Sequence, residues 1–151
     1  MIARKSARSD GTLSATSVSV GSHRALVADD DADVLAVVSE AVASLGFDVK
    51  SVENGGALID CLASDGPFDL IVTDVSMPWM DSLKTLRSIR TAGVTTPVIV
   101  MTALTDEQIP TRVQALGANA ILLRKPFGLD ELTSAVQRLI AYEPQRAERY
   151  T

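Results

Sequence analysis

The sequence predicts an α/β fold: a doubly wound (βα)5 sandwich of three layers around a parallel sheet. Three observations predict it. Short apolar runs alternate with helix-period segments five times along the chain. Two of those runs, residues 70–73 and 98–101, are apolar without interruption, as strands buried on both faces are. Strands separated by helices need crossover connections, so the sheet is parallel, and right-handed crossovers place helices on both faces.

The first strand is expected at residues 25–28, an apolar run that stops at Asp29. Val34, Val38, Val42 and Leu45 then recur at helical spacing, and Gly46 closes that helix. Residues 48–52 make a weaker strand. A short helix is expected over 57–63, ended by Asp65, Gly66 and Pro67. Residues 70–73 (LIVT) form the third strand, and Leu83, Leu86 and Ile89 give the next helix face, followed by Gly93. Residues 98–101 (VIVM) form the fourth strand, and Ile109, Val113 and Leu116 line a helix that ends at Gly117. The last strand covers 121–123, and Leu129, Leu132, Val136 and Leu139 form the last helix. Pro110 falls inside the expected fourth helix, where a missing N–H and a crowded turn cost about 3 kcal/mol in a helix interior. That helix should start late, near Pro110, leaving residues 104–110 irregular and mobile.

A length of 151 residues fits one domain. It is expected over residues 23–142, with a flexible, Ser/Thr-rich tail at 1–22 and a charged tail at 143–151. Aromatic residues make up only 4%, so Val, Leu, Ile, Ala and Met must build the core. Acids outnumber bases, 19 to 14, which disfavours nucleic-acid binding through a general positive field. No apolar run approaches the ~20 residues that cross a bilayer, and no apolar segment follows Arg4, Lys5 and Arg8 as in a secretory leader. Neither membrane insertion nor export is expected. Cys61 is the single cysteine, which fits a reducing, cytoplasmic setting, and it reads as a small buried hydrophobe.

In such a fold the site lies at the carboxyl ends of the strands. Asp29 and Asp30 follow the first strand, Asp74 the third, Thr102 the fourth and Lys125 the fifth. Three carboxylates, a hydroxyl and an ammonium would converge there. Such oxygens suit a hard divalent cation such as Mg²⁺, which explains why neighbouring acids tolerate one another. A carboxylate in that setting can accept a phosphoryl group and form an acyl phosphate, with Lys125 and Thr102 holding its oxygens. Asp31 and Asp33 read instead as acids favoured at a helix N-terminus. Arg124 reads as a surface charge, His23 as an exposed residue, and Met77, Pro78 and Met80 as loop packing. Trp79 lies close to Asp74, so its fluorescence should respond to Mg²⁺.

Four pieces in order, LVADDD, IVTDVSMPWMD, VIVMTA and RKPF, resemble the receiver domain of bacterial two-component response regulators. The resemblance covers residues 24–141. It implies a flavodoxin-like, five-stranded sheet of order 2-1-3-4-5. It also implies Asp74 as phosphoacceptor, Asp30 as a direct Mg²⁺ ligand and Asp29 acting through a metal-bound water. Ser76 would offer its backbone carbonyl to the metal, and Thr102 and Lys125 would contact the phosphoryl group. The phosphodonor would be a sensor histidine kinase or a histidine phosphotransfer protein. The resemblance further implies signalling through an unknown downstream protein target or a phosphorelay, without direct nucleic-acid binding. With few residues beyond Tyr142, a stand-alone single-domain type is expected. The oligomeric state stays open, a phosphorylation-dependent dimer included.

Three departures from the family pattern stand out. Ser82 replaces the usual Gly after the MPxMD acid, and would either shift the loop or share capping of the next helix with Asp81. The usual aromatic switch position holds Leu122, or Ile121 if the register differs. The stretch from Gly117 to Lys125 is one residue longer than usual, which predicts a bulge. These changes keep one alternative alive, a degenerate receiver that binds proteins without being phosphorylated. A phosphate-ester hydrolase of the haloacid dehalogenase type is the rival among enzymes. It needs a second acid two residues after the nucleophile, where this chain has Ser76.

Overall fold

The computed structural model describes residues 23–141 except Trp79. The expectations for residues 1–22, for the C-terminal tail and for Trp79 lie outside the described residues. The elements are β1 (Arg24–Ala28), α1 (Ala32–Ser44), β2 (Asp48–Val52), α2 (Gly55–Ser64), β3 (Leu70–Asp74), α3 (Ser82–Thr91), β4 (Val98–Thr102), α4 (Gln108–Gln114), β5 (Ala120–Arg124) and α5 (Leu129–Ile140). The strands form one parallel sheet of order β2-β1-β3-β4-β5, the topology expected.

Helices cover both faces. Leu35, Val38 and Val42 of α1 and Leu132, Val136 and Leu139 of α5 pack on Val27, Val72, Ile99 and Leu123. On the other face, Leu83 and Leu86 of α3 and Ile109 and Val113 of α4 meet Ile71, Val98 and Val100. Leu58 and Cys61 of α2 pack with Leu26, Phe68 and Met77, so Cys61 is the buried hydrophobe expected. β3 and β4 are buried along their whole length, as their uninterrupted apolar runs require.

Local chemistry sets the ends. The Asp31 side chain caps α1 by accepting the N–H groups of Asp33 and Val34, and Asp33 sits in the first turn. Gly46 and Gly117, just past α1 and α4, take φ of 105° and 110°, a region that a Cβ disfavours. α2 starts two residues earlier than expected. Asn54 caps it through Ala57 N–H, and a Cβ on Gly55 would lie 2.0 Å from Met80 Sδ, so close packing fixes a glycine there.

α4 begins at Gln108, two residues before Pro110, so residues 108–110 are helical and not irregular as expected; Pro110 falls in the first turn, where no intrahelical N–H bond is lost. The expected bulge is absent. β5 pairs with β4 without a break from Ala120 to Arg124, and Lys125 N–H continues the ladder to Thr102 O. A two-residue antiparallel pairing, Ser76–Met77 with Met80–Asp81, closes the loop after β3 and was not foreseen.

Candidate functional site

The strand order sets the site. The chain leaves β1 for β2 on one side and β3 lies on the other, so a crevice opens above the ends of β1 and β3. Ala28 pairs with Thr73, which brings Asp29 level with Asp74 one step on. Asp74 pairs with Met101, and Thr102 pairs with Arg124, which puts Thr102 and Lys125 on the same edge.

Side-chain oxygens of Asp29, Asp30 and Asp74 all lie within 4.8 Å of one another. Asp29 is fully buried, Asp74 nearly so, and Asp30 is exposed. Asp29 Oδ1 accepts the N–H of Asp31 at 2.9 Å, while its Oδ2 accepts Lys125 Nζ at 2.8 Å. Lys125 Nζ also stands 3.3 Å from Asp74 Oδ1. Thr102 is buried, and its Oγ1 accepts the N–H of Leu104 at 2.9 Å, which leaves the hydroxyl hydrogen to donate elsewhere. Ser76 is exposed. It is held beside the site by adjacency to Asp74 and by pairing with Asp81.

The electrostatics follow from this packing. Burial pushes the Asp74 carboxyl above its ordinary range. Lys125 opposes that shift, and the charges of Asp29 and Asp30 add to it. Burial works against the Lys125 ammonium, yet the hydrogen bond it donates to Asp29 and the charge of Asp74 outweigh it, so its pKa is raised. Lys125 therefore stays cationic at neutral pH. The donor set fits a hard divalent cation: carboxylate oxygens, two of them buried, with one exposed acid at the mouth.

The remaining expectations resolve around the site. Leu122 packs on the α3/α4 face of the sheet, whereas Ile121 packs on the α1/α5 face. Asp81 caps α3 alone, accepting the N–H groups of Leu83 and Lys84. Ser82 does not share the capping: its Oγ is buried without a partner, while its N–H donates to Val75 O. Arg124 and His23 are exposed as expected. One contact escaped the sequence reading. Arg112 of α4 donates to Asp81 Oδ2 at 2.7 Å, and no local spacing in the sequence pairs these residues.

Comparison with known proteins bears on this geometry. The model of the response regulator receiver domain family matches residues 25–137. The chain is 36% identical over 127 residues to the regulatory protein AtoC of Escherichia coli, covering 83% of this chain and 27% of that protein. It is 36% identical over 118 residues to the response regulator MprA of Mycolicibacterium vanbaalenii, covering 78% of this chain and 50% of that one. The chain thus spans from about a quarter to half the length of these curated relatives. The solved chemotaxis response regulator CheY4 of Vibrio cholerae superposes with a TM-score of 0.67 at 27% identity, over 78% of this chain and 98% of that one. Receiver domains are signalling modules rather than turnover enzymes, they bind Mg²⁺ in an acidic pocket, and they interact with histidine kinases or phosphotransfer proteins. Among the described residues no helix is long and apolar enough to cross a membrane. With the family model matched across the folded chain and the acidic crevice in the expected place, this chain belongs to the receiver domains of two-component response regulators.

Proposed function

We propose that this receiver domain accepts a phosphoryl group on Asp74 from a phosphohistidine on a sensor kinase or phosphotransfer protein. The observation that carries the reading is the grouping of Asp29, Asp30 and Asp74 within 4.8 Å, with Lys125 Nζ reaching both Asp29 and Asp74. In the transfer an Asp74 carboxylate oxygen attacks phosphorus. A P–O bond forms, the P–N bond breaks, and the imidazole leaves with the electron pair. Asp30, Asp29 and Asp74, with the Ser76 carbonyl, would hold Mg²⁺, which when bound offsets charge on the transferring oxygens. Lys125 stabilises one phosphoryl oxygen as a point charge, and the free Thr102 O–H donates to another.

The surroundings support an approach by a protein donor. An apolar groove of about 440 Å³, lined by Val34, Val37, Ala103, Phe127 and Leu129, runs beside Lys125. Val37 and Leu129 are each half exposed, so the groove offers apolar contact next to the acceptor.

Incubation with acetyl phosphate and Mg²⁺, followed by intact mass, tests the assignment. A gain of one phosphoryl group that Asp74→Ala abolishes is expected. No gain in the parent chain would favour the second reading, a receiver that binds proteins without phosphorylation. The aliphatic residue at the switch place, Leu122 or Ile121, is the observation on that side.

A further inference from the structure

We propose that Arg112 couples the phosphoacceptor loop to α4, so that the state of Asp74 reaches the α4–β5 face through the Arg112–Asp81 contact. The inference rests on the phosphorylation reading above and names its route of regulation.

The loop after Asp74 is a closed unit. Val75 N–H donates to Met101 O, Ser82 N–H donates to Val75 O, and Ser76 pairs with Asp81. A displacement at Asp74 is therefore passed to Asp81 over a short, bonded path. Asp81 is itself fixed. Its Oδ1 accepts Leu83 N–H at 3.0 Å and Lys84 N–H at 3.3 Å, which leaves Oδ2 aimed at Arg112 Nη2, 2.7 Å away. One partner is thus held by the loop and the other by α4.

α4 is suited to answer such a contact. It is seven residues long, carries Pro110 in its first turn and follows an irregular segment. So short a helix gains little from its own hydrogen bonds, and its position depends on what it touches. Ile109 and Val113 anchor it to the sheet, and Arg112 ties it to Asp81, the residue that caps α3. The neighbouring arginines are otherwise engaged. Arg90 donates to the carbonyls of Leu116 and Val94 and to Asn119 Oδ1, and Arg124 donates to Leu104 O. Leu122 is aliphatic and offers neither a ring nor a polar group for this purpose. Both Arg112 and Asp81 keep about two fifths of their side-chain surface exposed, so the pair is weak enough to break and re-form.

The test is hydrogen–deuterium exchange over residues 104–116 in the full chain, with and without acetyl phosphate and Mg²⁺, and with phosphorylation measured by intact mass. In the parent chain phosphorylation should change exchange there by about threefold to fivefold, the scale of an exposed ion pair. In Arg112→Gln the unmodified chain should already exchange faster by that factor, and phosphorylation should no longer alter it, although the mass gain is unchanged. Arg112→Lys, which keeps the charge, should restore part of the response. A response in Arg112→Gln equal to that of the parent, or none in a parent chain that does gain mass, would overturn the proposal. A parent chain that gains no mass would instead strike the phosphorylation reading, and this inference would go with it.

Discussion

Ser82 carries the one buried side-chain oxygen without a partner among the described residues. A buried hydroxyl left unpaired costs roughly 1–3 kcal/mol, and Asp81 already supplies the cap of α3. Ser82→Ala should therefore stabilise the fold by about 1 kcal/mol. Urea unfolding measures it, and a loss of stability would mean that the hydroxyl has a partner after all. Asp74 works in the opposite direction to an ordinary surface acid. Its folded pKa lies above the unfolded value because burial disfavours the charged form. Stability from such a group is fully present below the unfolded pKa and is lost as pH rises through the folded one. Asp74→Asn should thus raise the urea midpoint at pH 7 in the absence of Mg²⁺, and the difference from the parent should shrink towards pH 4. A difference that grows on acidification would contradict the assigned shift. The identities of these two residues were plain in the sequence, but their environments were not, because burial and the lack of a partner depend on the assembled loop.

At the scale of elements, the apolar period located every strand and helix of the sandwich, since each must bury one face or both. The misplaced boundaries have tertiary causes. The expected start of α2 was 57; Asn54 caps it so that it starts at Gly55 instead, and Met80 fills the space that a side chain there would need. Gly55→Ala would drive a Cβ into the Met80 side chain, with Met80 Cβ itself only 2.6 Å away. It should destabilise by about 1–3 kcal/mol, the usual range for overpacking. Because the clash is with one side chain, Gly55→Ala combined with Met80→Ala should cost less than the sum of the two single changes. Additive costs in thermal or urea unfolding would show that the helix start, rather than the contact, sets the requirement. The absent bulge has a similar origin. The expected bulge did not form because β5 pairs with β4 without a break, a register that sequence spacing does not show, and because Asn119 is tied to Arg90 in the turn before it.

At the scale of the whole molecule, the site was legible because a parallel sheet delivers all its carboxyl ends to one edge, so residues following different strands must meet. What the strand order alone did not give is how the site balances its own charge. Lys125 already spans Asp29 and Asp74, while Asp30 stays exposed at the mouth, and Arg112 reaches the loop from a helix that shares no spacing pattern with it. This charge balance leads to a prediction for the folded chain as a unit. A cation that binds only the assembled crevice stabilises the fold by mass action, about 1.4 kcal/mol at ten times its Kd. For a chain of this size that raises Tm by about 3–6 °C. Mg²⁺ should therefore raise Tm with a saturating dependence, whereas K⁺ at matched ionic strength should not, because screening alone does not need three converging carboxylates. Asp30→Asn should weaken the Mg²⁺ effect strongly while leaving the metal-free Tm almost unchanged, since Asp30 is exposed. Differential scanning calorimetry reads both quantities. Equal shifts from Mg²⁺ and K⁺, or an undiminished Mg²⁺ shift in Asp30→Asn, would mean that the acids at the ends of β1 and β3 do not act as one cation site.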